Sequence, residues 1–251
     1  MAKLTEWDLT VAERLYDLWH TCDILGESPN RYKELIGVNA TMVFWGKYRD
    51  EQQGRINIYD IFKTKEEYIK KELEWYHSQS LDAKWIGQHA KIWLECCDEN
   101  HKINSNYGFL MFSAQNGYQF KNVIKELTKD STSRRAVAYY ANPFIHYTGG
   151  KDYICTIAVQ YLLRNNRVDA IVYMRSNDII YGLIGADLYW QNEVLRLVCD
   201  LLTLHYQRTI YPGDIHWMAG SLHIYERHLD KLEKFAKEFE NNTLTEVDYE
   251  L

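Results

Sequence analysis

The chain has 251 residues, a formal net charge of −6 and 14% aromatic residues, with 20 Tyr and 8 Trp. That length and apolar content suffice for a sizeable core, and the acidic balance argues against a general nucleic-acid binder, leaving room only for a local basic pocket. Five cysteines, two of them adjacent at Cys96 and Cys97, with no Cys-x-x-Cys spacing, suggest neither a disulfide framework nor a zinc site, so no metal is expected. No long apolar run and no signal-peptide pattern occurs, which reads as a soluble, cytoplasmic protein with no membrane partner. Three prolines, no low-complexity stretch and no internal repeat predict one domain over residues 1–251.

Thr10 to Glu13 is a capping-box pattern that predicts a helix through about Cys22, with Val11, Leu15 and Leu18 as its apolar stripe. Glu34 to Ala40 reads as a strand, followed by the apolar run Met42 to Trp45. Thr64 to Glu67 is a second capping box, opening a helix from Lys65 to about Tyr76. Ile69, Leu73 and Tyr76 form its apolar face, flanked by Tyr68 and Trp75, and Glu72 falls inside that arc. A carboxylate there either lets its tip reach solvent or is buried, and burial raises its pKa toward the range useful for acid–base chemistry.

Asn104 to Gly108 has the composition of a turn. Phe120, Val123, Ile124 and Leu127 mark a helix ending near Asp130. Arg134 and Arg135 then lead a short strand; adjacent planar guanidinium forks either clamp a phosphate or stand as a solvated charge pair.

The segment Asp152 to Asp178 predicts a hairpin, two β-branched and aromatic runs around Asn165-Asn166. Alternation puts Cys155, Ile157, Val159 and Tyr161 on one side, and pairing about the turn brings Arg175 to the level of Cys155. An Arg beside a Cys favours the nucleophilic thiolate, although a buried free Cys and a strand-end Arg explain the same spacing.

Beyond Gly182, Asp187 opens a helix to about Leu204 that is apolar almost all round, which predicts burial. On position alone Asp187 is a good N-cap. Gly213 to Tyr225 reads as a strand pair with His223 and Tyr225 on one face. A last helix, about Glu226 to Phe239, carries Leu229, Leu232 and Phe235, and an acidic tail follows.

Several of these words, in this order, resemble the thymidylate synthase superfamily: Glu72-Leu73-x-Trp75-Tyr76, Ile92-Trp93, Tyr107-Gly108, Asp130-Ser131-x-x-Arg134-Arg135, Cys155 with Gln160, Arg175-Ser176-x-Asp178, Gly182 and His223-x-Tyr225. Met174 to Asp178 and Asp187-x-x-Trp190-Gln191 are most similar to the phage deoxycytidylate hydroxymethylase branch. The resemblance spans roughly Glu34 to His228. It implies an α/β (α+β) thymidylate synthase fold, a mixed β-sheet with a long buried helix, forming a homodimer through the sheets.

The resemblance also assigns roles. Cys155 would be the nucleophile and Glu72 the proton handler. Asp187 would read cytosine, an acceptor carboxylate suiting the exocyclic amine and a protonated ring nitrogen; ungapped alignment would put Ala186 there instead. Arg175 and Ser176 would hold the phosphate, joined by Arg134 and Arg135 from the partner subunit, with Arg31 the best candidate for a further arginine. Gln160 would support, and His223 and Tyr225 would bind the sugar 3′-hydroxyl. Trp93, Asp178 and Tyr107 would line the folate side. Ser221 stands where thymidylate synthases often carry Asp, and the tail does not resemble their C-terminal lid.

The implied reaction takes dCMP, 5,10-methylenetetrahydrofolate as co-substrate and water to 5-hydroxymethyl-dCMP and tetrahydrofolate, through a Cys155 thioether at pyrimidine C6. The alternatives are a CMP hydroxymethylase, a thymidylate synthase or dUMP hydroxymethylase, and, from another class, a non-catalytic nucleotide-binding protein.

Overall fold

A computed structural model describes residues 6–28, 30–42, 66–146 and 151–247. Five strands form one sheet in the order β1-β5-β4-β3-β2: β1 (Tyr32–Met42), β2 (Val137–Tyr139), β3 (Thr156–Arg164), β4 (Arg167–Asp178) and β5 (Tyr211–Tyr225). All neighbours are antiparallel except β4 and β5, so the sheet is mixed. Parallel strands need a long crossover, here supplied by the helix Ala186–Tyr206.

Nine α-helices accompany the sheet among the described residues: α1 (Glu6–Thr21), α2 (Glu66–Ser78), α3 (Ala83–Ile86), α4 (Ile92–Cys96), α5 (Tyr107–Phe112), α6 (Gln119–Lys129), α7 (Pro143–His146), α8 (Ala186–Tyr206) and α9 (Leu229–Val247). None among the described residues is long and apolar enough to cross a membrane.

The core lies on one face of the sheet. Val159, Tyr161 and Leu163 from β3, Val168, Val172 and Met174 from β4, and Ile215 and Trp217 from β5 are buried together with Leu188, Val194, Leu195, Val198 and Leu202 of α8. At about 25 cal/mol per Å² of apolar surface, such burial is the main source of folding free energy. The other face is open among the described residues: Ile36 is 83% exposed, and Tyr139, Tyr173 and Met218 are also exposed.

The hairpin forms as predicted. Asn165 and Asn166 have φ of 48° and 62°, the doubly left-handed turn that matches strand twist. Arg164 pairs with Arg167, and that register, continued without a break, would set Cys155 opposite Ser176. A bulge between Thr156 and Ala158 shifts it, so the Arg175 amide donates to the Cys155 carbonyl. The same bulge changes the predicted facing: Thr156, not Cys155, falls in line with Val159 and Tyr161, and is fully buried.

Other expectations are corrected. The first helix begins at Glu6, so Thr10 lies inside it rather than at its start. Thr64 and the Val43–Trp45 run lie outside the described residues. Tyr107-Gly108 opens α5 rather than making a turn; the Asn106 side chain accepts from Phe109 N, and a Cβ on Gly108 would collide with the Tyr76 carbonyl, so α5 lies tight against α2. Gly213 to Tyr225 belongs to one continuous strand. Its glycines mark close approach rather than a turn, since a Cβ on Gly220 would sit 2.9 Å from the Arg175 carbonyl. α8 is buried along one side only. Arg196, Asp200 and Leu201 face out, and Leu204 is 74% exposed, because the sheet and neighbouring helices cover fewer faces than its leucines occupy.

Candidate active site

The site forms where the ends of β3, β4 and β5 meet α2, α5 and the start of α8. Cys155 immediately precedes β3. Arg175 wraps around it: Nε donates to the Ile154 carbonyl at 3.0 Å, Nη2 to the Tyr153 carbonyl at 2.7 Å, and Nη2 lies 3.7 Å from Cys155 Sγ. The guanidinium also stacks 4.8 Å from the centre of the Tyr153 ring. Its field favours the thiolate, as the spacing predicted, but burial outweighs it. The Cys155 thiol is pushed up to about 11, with the nearby Asp187 and Asp152 carboxyls adding to the rise.

Glu72 is buried, 6% exposed, on the inward face of α2. Burial raises its pKa to about 7, against the opposing effect of two phenols that hydrogen-bond it, Tyr76 and Tyr68. Tyr76 OH donates to Glu72 Oε1 at 2.7 Å. Trp93 Nε1 donates to Tyr68 OH at 2.9 Å, and the Trp93 ring lies 4.9 Å from that of Trp75. Tyr68 therefore links the carboxyl to the half-buried indole.

Asp187 lies in the first turn of α8 but does not cap it; Gly185 takes the N-cap position. Its side chain turns inward instead. Oδ2 accepts from Asn177 Nδ2 at 3.0 Å, and Tyr107 hydrogen-bonds the same carboxyl. Burial, then the carboxyls of Glu72 and Asp178, raise the Asp187 pKa to about 8. Gly182 makes room for this contact. A Cβ there would fall 2.6 Å from Asp187 Oδ2 and closer still to Asn177 Nδ2. Tyr107 is held from two sides, by the Thr156 hydroxyl donating to its oxygen at 2.9 Å and by the Tyr76 ring stacked at 5.1 Å.

Asp178 accepts from the amides of Ile180 and Tyr181, capping the wide turn Ile179–Leu183, and its other oxygen lies 3.5 Å from Arg227. His223 and Tyr225 share one face of β5 as predicted, ring centres 5.1 Å apart. Burial lowers the His223 pKa, which keeps the imidazole neutral beside Asp178. Ser176 is half-buried in β4 opposite Ser221.

The structure thus brings together Cys155, Arg175, Glu72, Asp187, Tyr107, Trp93, Asp178, His223 and Tyr225. Arg134 and Arg135 stand apart. Both are exposed; Arg135 Nε pairs with Glu126 at 3.0 Å, and the Arg134 carbonyl accepts from Gln160 Nε2 at 2.8 Å. Among the described residues neither contacts the Cys155 centre. Arg31 is ion-paired with Glu226. The sequence reading missed Tyr68, Asn177, Thr156 and Arg227, whose guanidinium covers the Tyr225 ring at 4.4 Å.

A thiol beside an arginine, one buried and one half-buried carboxyl with raised pKa values and an aromatic wall, on a mixed sheet crossed by a long helix, define the class. The thymidylate synthase family profile matches residues 22–248, and the chain belongs to that family. Within it, the chain is 39% identical over 190 residues to the deoxycytidylate 5-hydroxymethyltransferase of Enterobacteria phage T4, covering 73% of this chain and 76% of that protein. It is 41% identical over 169 residues to the phage T2 protein of the same name, covering 65% and 68%. Identity to the deoxyuridylate hydroxymethyltransferase of Bacillus phage SP01 is 30% over 163 residues, covering 60% of this chain and 41% of that one.

Proposed function

We propose that the chain is a deoxycytidylate 5-hydroxymethyltransferase, converting dCMP, 5,10-methylenetetrahydrofolate and water to 5-hydroxymethyl-dCMP and tetrahydrofolate. The observation that carries this reading is Asp187, half-buried near Cys155 with its side chain turned inward and its pKa raised to about 8. At neutral pH such a carboxyl holds a proton. It then offers one donor and one acceptor, the complement of cytosine N3 and the N4 amino group. The same proton was expected on the ring nitrogen; in this geometry Asp187 brings it.

Donation to N3 draws electrons from the ring and opens C6 to addition by Cys155 Sγ. The resulting thioether makes C5 nucleophilic. Methylenetetrahydrofolate supplies the one-carbon unit, and the half-buried Trp93, backed by Trp75 and tied to Tyr68, offers the flat apolar wall a pterin needs. Loss of the C5 proton expels tetrahydrofolate and leaves an exocyclic methylene; water adds to that carbon, and Cys155 Sγ leaves C6 to restore the ring with its hydroxymethyl group. Glu72, near pKa 7 and braced by Tyr76 and Tyr68, is suited both to accept and to return those protons.

Arg175 is the phosphate ligand within the chain, with Ser176 beside it. Arg134 and Arg135 lie on the sheet's open side, too far from Cys155 for any described contact, which supports their acting on a partner's nucleotide across a homodimer formed through that side. His223 and Tyr225 are the sugar ligands, and Asp178 and Tyr107 border the folate side.

The test is covalent trapping. In 5-fluoro-dCMP the fluorine cannot leave as a cation, so the thioether persists. Incubation with methylenetetrahydrofolate should add the mass of nucleotide plus folate to the intact protein, on the peptide bearing Cys155. A Cys155→Ala protein that still forms the adduct, or that turns over dCMP normally, sinks the scheme.

A further inference from the structure

Behind His223, Glu34 and Ser221 complete a hydrogen-bonded row at the rim of the site and have no part in the reaction as proposed. Glu34 on β1 is the strand neighbour of His223 on β5, and Ser221 lies two residues earlier on the same face of β5. Ser221 Oγ donates to Glu34 Oε1, and Ser221 Oγ lies 3.4 Å from His223 Nδ1. The assignment of protons follows from counting them. A serine hydroxyl owns one hydrogen, and a carboxylate only accepts. With that hydrogen spent on Glu34, Ser221 has a lone pair left for His223, so Nδ1 must carry the proton. The Ser221 backbone carbonyl acts in the same sense, favouring a proton on the imidazole. A neutral imidazole has one donor nitrogen and one acceptor, which leaves Nε2 bare. Among the described residues Nε2 makes no hydrogen bond.

We infer that Glu34 and Ser221 form a positioning relay that fixes His223 as its Nδ1–H tautomer, so that Nε2 presents an acceptor to a hydroxyl group of the ligand. On the proposed function, on which this ligand assignment rests, the hydroxyl is the sugar 3′-hydroxyl and it must donate. The relay makes the site selective for a 3′ hydrogen-bond donor over a group that only accepts. Other charges face the ring: Asp178 favours the imidazolium along with Glu34, Arg175 opposes it, and burial outweighs them and keeps the ring neutral.

Full-length protein labelled with 15N at histidine, read at neutral pH by long-range proton–nitrogen correlation, reports the tautomer directly. The His223 signals are those missing from a His223→Gln protein. The wild type should show a protonated Nδ1 and a bare Nε2. In Glu34→Ala the serine hydroxyl loses its acceptor and turns to donate to Nδ1, so the tautomer should reverse. Glu34→Gln keeps an acceptor oxygen and should keep the wild-type tautomer. A wild type protonated at Nε2, or a Glu34→Ala protein with an unchanged tautomer, overturns the relay.

A kinetic arm tests the ligand. Wild type should favour dCMP over its 3′-deoxy-3′-fluoro analogue by about tenfold in KM, the worth of one hydrogen bond. Glu34→Ala should lose that preference while kcat changes less. Equal preference in both proteins overturns the assignment to the 3′-hydroxyl. Absence of any turnover of dCMP defeats the proposed function instead, and the tautomer measurement still decides the relay.

Discussion

Replacing Glu72 with Gln tests the physical state of the site more sharply than loss of activity does. Burial raises the Glu72 pKa from its ordinary 4.5 to about 7. In the unfolded chain the carboxyl releases its proton near pH 4.5, whereas the folded protein keeps it until about pH 7. The folded state therefore binds more protons between those values, and stability falls as pH rises through that window and levels off above it. The rise corresponds to about 3 kcal/mol lost by pH 8. Asp187, raised from 3.8 to about 8, acts in the same direction and steepens the wild-type decline; part of its rise comes from the Glu72 carboxylate, so the Gln protein loses that part too and the difference moves further in the same direction. Gln has nearly the same shape, retains an acceptor for Tyr76 and cannot ionise. Any fixed packing penalty it carries is the same at every pH. Urea denaturation of both proteins at about pH 4.5 and about pH 8 should therefore show the stability difference moving by at least about 3 kcal/mol in favour of Gln at the higher pH. A difference constant to within about 0.5 kcal/mol refutes the reasoning, because the Glu72 carboxyl would then be solvated. Turnover by Glu72→Gln should fall by about 10² to 10⁴, the usual worth of a positioned acid–base group.

Gly182→Ala drives a methyl group between Asn177 and Asp187. Losing their bond should lower kcat/KM for the cytosine nucleotide at least about tenfold, with the circular dichroism spectrum unchanged. Asp187→Asn presents an amide that cannot pass an acidic proton toward cytosine N3 and that, flipped, meets uracil O4 and N3–H equally well, so the ratio of kcat/KM for dCMP over dUMP should fall by about 10² or more in steady-state assays. Mixing Cys155→Ala protein with an Arg134→Ala, Arg135→Ala double variant, each inactive alone, should restore about a quarter of wild-type activity on subunit exchange, through heterodimers with one intact site. No recovery would place those arginines in the cis site.

Local signals in the sequence were read correctly where the physics is local. Asn165-Asn166 announces its turn because two consecutive left-handed residues favour Asn. Glu72 was legible because helical periodicity places it in an apolar arc, and His223 and Tyr225 because strands repeat every two residues. What escaped were tertiary decisions. Nothing in Thr156-Ile157-Ala158 marks a bulge, yet the bulge is what sets Arg175 opposite Cys155. Asp187 looked like a cap because it stands at a helix start. Only the fold shows that Gly185 takes that place and that Asn177, ten residues earlier, awaits the carboxyl. Arg227 and Tyr68 reach the site through contacts with β5 and α4 that no spacing predicts. Glycines misled in β5, where they permit close backbone approach instead of turning the chain.

What decides the proposed reaction is the outcome at cytosine C5. The most direct measurement is the mass of the nucleotide formed when the protein meets dCMP, CMP and dUMP separately with methylenetetrahydrofolate. The account predicts a gain of CH2O on dCMP, with formation of tetrahydrofolate. A gain of CH2 on dUMP, with no product from dCMP, would contradict both the water-adding step and the reading of cytosine by Asp187.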